Sequence, residues 1–170
     1  MRAVTAALVL VLSSSMASAQ APAAPSPSAA DARTMVSAAE VAALIAKAKA
    51  DRKNDQALLA QSMIRLAPYN VSLEYRAAVA NAAVHETEAE MFYVVDGSAT
   101  LVTGGKLTNE SRTNAANLSG SGIEGGVSRH VAKGDFIMVP EGIPHWFSAI
   151  DGTVVLMSIH LPHPPQPAKP

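Results

Sequence analysis

The chain reads as an all-β sandwich or barrel preceded by one amphipathic helix, and three observations carry that reading. Short runs with two-residue alternation recur through the second half of the chain. Asp-Gly and Gly-Gly pairs separate them, the residues that hairpin turns require. Ahead of them, a single segment keeps a clear helical period. At 170 residues the chain suits one domain with a sizeable core.

The amino-terminal segment is expected to lie outside that domain. Met1-Arg2 gives a basic start, "AVTAALVLVL" is apolar, and "SSSMASAQ" carries Ala17-Ser18-Ala19 ahead of Gln20. This is the pattern of a secretory signal over residues 1–19, with an apolar stretch short of the ~20 residues a spanning helix needs. It implies a periplasmic or secreted protein. Residues 20–33 are a Pro/Ala/Ser-rich linker and 163–170 a Pro-rich tail, leaving residues 34–162 as the folded domain.

Within the domain, Ser37 and Glu40 form a capping-box pattern, and Val41, Leu44, Ile45 and Ala48 follow at i, i+3, i+4, i+7. A helix over residues 38–50 is predicted, with Lys47 and Lys49 on its solvated side. "ALLAQSMIRL" is ambiguous between a helix end and a strand, whereas Val71, Leu73 and Tyr75 alternate cleanly with polar neighbours. Further strands are predicted over 91–96, 99–103, 136–139, 145–150 and 154–160. Between Gly104 and Val127 lies a long Asn/Ser/Gly-rich stretch that reads equally as a lid or as a floppy excursion. Asn70, Asn109 and Asn117 stand in glycosylation-type triplets there or nearby, a frequent chance match.

Composition excludes several functions. Charged residues are 16% of the chain and the formal net charge is −1, which offers no electrostatic grip on nucleic acid or on a membrane surface after signal cleavage. There are no cysteines, so disulfides, thiolate ligands and cysteine nucleophiles are ruled out and any metal must be held by nitrogen and oxygen.

The polar cluster in "HETEAEMFYVVDG" is the most informative stretch. His85 and Glu90 are five residues apart, so a turn must lie between them before Glu90, Phe92 and Val94 share one strand face. If that face is interior, Glu90 needs a cation or donor, because an unpaired buried carboxylate is costly. Glu86 and Glu88 are expected on the solvated turn. His85, Glu90 and Gly97 in this segment, and Gly134, Pro140, Gly142 and His145 in "GDFIMVPEGIPHWFSA", resemble in register the two motifs of the cupin superfamily. The resemblance covers roughly residues 83–149 and implies a jelly-roll β-barrel. Ala83 stands where the first motif has its first histidine, and Ala149 where the second motif has asparagine.

What the resemblance implies is a divalent metal held by His85, Glu90 and His145, three of the usual four ligands. Two imidazoles and one carboxylate suit Fe, Mn, Zn, Ni or Cu and leave positions open for substrate. Taken singly, His85 also reads as an exposed strand-end residue and His145 as a hydrogen-bonded mouth histidine. His160, on the last strand, is an additional candidate ligand whose face is undetermined by the pattern. Phe92, Met138, Trp146, Phe147 and Tyr75 are candidate pocket walls, with Gln61 a weaker site candidate and His130 and His163 surface residues. The functions in view are a metal-dependent enzyme of oxygenase, isomerase or lyase type acting on a small polar molecule, or a non-catalytic cupin that binds a small molecule or metal. Similar cupins also imply a homodimer.

Expressed from Gln20, the domain is expected to be soluble and fully folded without detergent. Aggregation relieved only by detergent would overturn the secretory reading, as followed by light scattering and circular dichroism.

Overall fold

The structure, a computed structural model, describes residues 33–163. The signal expected over 1–19 and nearly all of the linker and tail lie outside them. The helix predicted over 38–50 is α1 (Ala38–Asp51), and its cap forms as the sequence indicates. Ser37 Oγ accepts from the Glu40 amide, and Glu40 accepts in return from the Ser37 amide at 2.8 Å.

Eleven strands follow among the described residues. The ambiguous segment is strand β1 (Leu58–Leu66), paired antiparallel with β2 (Tyr69–Arg76). Next come β3 (Ala82–His85) and β4 (Glu88–Thr103). The stretch at 104–127, read equally as a lid or a floppy excursion, contains short strands: β5 (Lys106–Thr108), β6 (Ser111–Arg112), β7 (Asn117–Gly120) and β8 (Gly122–Glu124). β5 pairs with β8, and β7 pairs with both β6 and β3. Polar strands with few apolar residues leave no periodic signal, which is why this region reads as loop. β9 (Val127–Ala132), β10 (Phe136–Val139) and β11 (His145–Pro162) complete the order.

Two pairs of predicted strands are each one long strand. Asp96-Gly97 and Asp151-Gly152 were expected to be hairpin turns, but β4 and β11 run straight through them. The two strands pair with each other over nearly their whole length, from Glu88 opposite Pro162 to Thr103 opposite His145. The register slips between Ile150 and Val154, so the Asp-Gly pairs are bulges where the ladder bends. Bending divides the fold into two layers. The front layer runs β1, β2, the second half of β11, the first half of β4, and β10. The back layer runs β9, the second half of β4, the first half of β11, β3, β7 and β6.

Alternation sends each strand's faces to two apolar clusters. Phe92, Val94, Leu101, Val139, Phe147, Val154 and Leu156 fill the space between the layers. Leu73, Tyr75, Val155 and Met63 face outward from the front layer and are covered by α1 through Ala48, with Leu44 and Ile45 packed alongside. Tyr75 therefore belongs to the helix interface and does not line the interior. Gln61 faces the same way and donates to the Leu44 carbonyl at 3.2 Å. Inside the barrel, Arg76 donates to Glu74 at 2.7–2.9 Å and lies over the Phe147 ring at 4.6 Å. No described helix is long and apolar enough to cross a membrane.

The bulge glycines generate a contrast. Gly97 has φ +78, and a Cβ there would meet the Thr153 carbonyl oxygen at 2.0 Å; Gly152 has φ +74 with nothing near. Gly152→Ala should cost about 1–3 kcal/mol, the range for a non-glycine residue in a sparsely populated backbone region. Gly97→Ala should cost clearly more because backbone must also move. Equal urea midpoints for the two variants would show that the close approach at Gly97 is not what holds the bend.

Candidate metal centre

His85 ends β3, and a bend at Glu86-Thr87 separates it from β4, as the spacing requires. Glu90 then points between the layers and is 3% exposed, followed on the same face by the fully buried Phe92 and Val94. His145 opens β11 and is 5% exposed. The structure brings all three together. His85 Nε2 lies 3.1 Å and His145 Nε2 3.0 Å from the same oxygen, Glu90 Oε2. Their ligand atoms lie within 4.8 Å of one another, a group that could hold a metal ion.

The outer face of each ring identifies which nitrogen carries the proton. His85 Nδ1 is 2.8 Å from Asn117 Oδ1, and His145 Nδ1 is 3.4 Å from the Ile143 carbonyl oxygen. Both partners only accept, so each Nδ1 donates, and the neutral rings turn the lone pair of Nε2 toward Glu90. Two imidazole lone pairs then face a carboxylate oxygen at hydrogen-bond distance. Such a set of acceptors is stable only with positive charge among them, supplied by protons on the rings or by a metal. The residues therefore fit a divalent cation with nitrogen and oxygen preference.

Electrostatics without a metal follow the same geometry. Burial alone would raise the Glu90 carboxyl, but hydrogen bonds from His145 and His85, the His145 charge and the Ser158 hydroxyl hold it far below the usual carboxylate range. For His85 burial works toward lowering, and contacts with Glu90, Asn117 and Glu88 outweigh it, so the imidazole titrates above its ordinary value.

Four residues outside the expected ligand set, Ser158, His160, Glu88 and Asn117, join the site. Ser158 Oγ donates to Glu90 Oε1 at 2.5 Å. His160 points inward, with Nε2 3.4 Å from Glu90 Oε1 and its ring centroid 4.8 Å from that of His85. Glu88 was expected on a solvated turn, yet it accepts from His160 Nδ1 at 2.6 Å, because it shares a strand face with Glu90. Glu86 does lie at the surface, paired with Arg112 at 2.6 Å. Asn117 was hidden in the polar stretch, and only the pairing of β7 with β3 places it beside His85. Ala83 is opposite His145 in the ladder and on the same strand face as His85.

The expected walls divide. Phe92 and Phe147 meet edge to face at 5.4 Å, and the Phe92 ring lies 5.9 Å from that of His145, so both form the apolar floor of the site. Trp146 alternates to the other face, where its indole donates to the Ala80 carbonyl at 2.9 Å. Met138 is 51% exposed and edges a cleft of about 410 Å3 with Leu101, Thr103 and Arg129. His130 and His163 are exposed and paired with Asp151 and Glu141. A larger hollow of about 680 Å3 has a mixed lining, polar at Ser62, Arg65, Asn70 and Ser72 and apolar at Ala60, Leu66, Ala67 and Pro68. Asn70 and Ser72 are opposite His160 and Ser158 in the β2–β11 ladder, so the hollow borders the strand that carries these two residues.

Among solved structures the fold is similar to a cupin superfamily protein from Desulfitobacterium hafniense, 14% identical, covering 66% of this chain and 84% of that one at a TM-score of 0.47. It is also similar to KdgF from Halomonas sp., 13% identical, covering 66% and 86% at a TM-score of 0.47. A third is Fe(II) HppE, 16% identical, covering 65% of this chain and 53% of that one at a TM-score of 0.49. At such identities the likeness concerns the fold alone. No curated protein matches the chain. The Cupin family profile matches residues 50–167, which takes in most of the chain and every member of the His85, Glu90 and His145 constellation. The chain belongs to the cupin family.

Proposed function

We propose that this is an exported cupin that holds one divalent metal through His85, Glu90 and His145 and acts on a small polar molecule, as an oxygenase, isomerase or lyase. The observation that carries the reading is the convergence of two imidazole Nε2 atoms on one buried carboxylate oxygen, with both outer nitrogens committed to acceptors. When bound, a divalent ion there supplies Lewis-acid polarisation and positions open to substrate, oxygen or water.

The chain's own residues shape what reaches that point. Phe92 and Phe147 keep water from the far side of Glu90, where a dry, low-dielectric floor strengthens each electrostatic contact. Ser158 donates to Glu90 Oε1 and so fixes the carboxylate plane. Asn117 holds the His85 ring at its outer nitrogen, the kind of support whose loss costs metal sites ~10–100-fold in affinity. The hollow lined by Ser62, Arg65, Asn70 and Ser72 supplies hydroxyl, amide and guanidinium groups along the approach, which suits a polar substrate.

Elemental analysis of protein purified without chelator tests the reading directly, with close to one metal per chain expected. Glu90→Gln and His145→Ala should each reduce bound metal to near zero while the far-ultraviolet dichroism stays β-rich, because two ligands remain where three held the ion. Glu86→Gln, at the surface with Arg112, should leave metal content unchanged and shift stability by at most about 1 kcal/mol. Full metal content in Glu90→Gln would place the ion elsewhere and end the proposal. Oxygen uptake or product formation on a panel of small hydroxy and keto acids and sugars then separates turnover from simple capture.

A further inference from the structure

We infer that His160 is a further ligand to the same metal, reaching it from the last strand in place of the histidine absent at Ala83, and that Glu88 is the residue that positions its ring. The assignment depends on a cation being held at Glu90, as proposed above.

The geometry of His160 repeats that of the two motif histidines. Its Nδ1 donates to Glu88 Oε1 at 2.6 Å, so the proton sits on the outer nitrogen and the Nε2 lone pair faces inward. That Nε2 lies 3.4 Å from Glu90 Oε1, whereas His85 and His145 make their contacts with Oε2. Three imidazoles on three outer acceptors, namely Asn117, Ile143 and Glu88, thus aim three lone pairs at one carboxylate. A histidine whose outer N–H is held by a carboxylate is the usual arrangement around a metal, because the carboxylate fixes the tautomer and makes the ring a better donor. The contact also explains why Glu88 sits half-buried beside the site.

Chain position supports the same assignment. His160 is opposite Glu90 in the β4–β11 ladder, so the two side chains leave adjacent strands toward the same interior. Ala83 leaves β3 toward that interior but offers only a methyl group. A ligand lost from the back layer is matched by one present in the front layer.

One ion accounts for the cluster better than two. His85, Glu88 and His160 also form a group that could hold an ion, and it shares His85 with the triad. Two ions would have to share His85, whose Nδ1 is held by Asn117, and Glu88 already accepts from His160. His160 Nε2, by contrast, lies within reach of Glu90.

The test counts ligands. The purified protein, His160→Ala, Glu88→Ala and Glu88→Gln are each loaded with one equivalent of Cu(II) for electron paramagnetic resonance, and Zn(II) affinity is measured by chelator competition. The parent should show three coordinated imidazole nitrogens and His160→Ala two, with Zn(II) binding weakened on the order of 100-fold or more. Glu88→Ala should weaken Zn(II) binding by ~10–100-fold, and Glu88→Gln, which keeps an oxygen to accept from Nδ1, should recover most of that loss. Where His160→Ala does not fold, His160→Gln offers no imidazole nitrogen and carries the same expectation. Two nitrogens in the parent, with Zn(II) affinity unchanged in the His160 variant, would overturn this inference and leave the three-residue site standing. A parent that binds neither metal would overturn both.

Discussion

The antiparallel ladder between β4 and β11 is the constraint on which the rest of the structure depends. Along a straight ladder, the thirteen positions from Glu90 to Thr103 would separate Glu90 from the partner of Thr103, which is His145, by about 40 Å. Instead His145 Nε2 lies 3.0 Å from the Glu90 carboxylate. The bulges at Gly97 and Asp151-Gly152 fold the ladder back on itself, so its two ends become the facing walls of one barrel mouth. The same fold-back brings His160 and Ser158 to Glu90 from one wall while His85 and His145 close from the other. The backbone thus decides the composition of the site before any side-chain chemistry enters.

Burying Glu90 in that mouth sets the electrostatic problem that the neighbouring residues answer. A carboxylate removed from water must find cations or donors, and the inner nitrogens around it are oriented by outer acceptors so that they offer lone pairs. Among the described residues, the neutral donor aimed at it is Ser158. A contrast exists within the same barrel. Glu74 and Arg76 are also buried, but they satisfy each other on one strand, and the guanidinium lies flat on Phe147. That pair is closed and asks for nothing further, whereas the Glu90 cluster is closed only by added positive charge. Two buried acidic groups in one interior therefore have different meanings, set by the count of donors facing each.

The interior is also asymmetric in polarity. Phe92, Phe147 and Val94 make the deep side apolar, while β1 and β2 present Ser62, Asn70 and Ser72 on the side continuous with His160. An apolar floor with a polar approach orients whatever enters, since polar groups of a ligand lose least by staying on the β2 side. Family membership accounts for the barrel and for the register of His85, Glu90 and His145. Ala83 faces the site from one wall, and Glu88 and His160 from the other.

Much of this was legible along the chain because it is local. The capping box at Ser37 and Glu40, the helical spacing through Ala48 and the alternation around Leu73 depend on near neighbours. His85, Glu90 and His145 could be singled out together because the segments that carry them resemble the two cupin motifs. What lay beyond reach depends on pairings between distant segments. Asp96-Gly97 and Asp151-Gly152 look like hairpin turns, and only the mutual pairing of β4 and β11 makes them bulges. Asn117 lies in a stretch without period and acquires a role when β7 docks on β3. Trp146 and Tyr75 read as candidate walls, but strand alternation within the assembled layers turns them away from the interior. His160 stands among apolar residues on both sides, so local pattern left its direction open. By itself, the sequence determined the helix and its cap, the alternation of individual strands and a set of candidate ligands. Which of them meet was decided by tertiary structure alone, because the faces of a strand are assigned by the register it adopts against its neighbours.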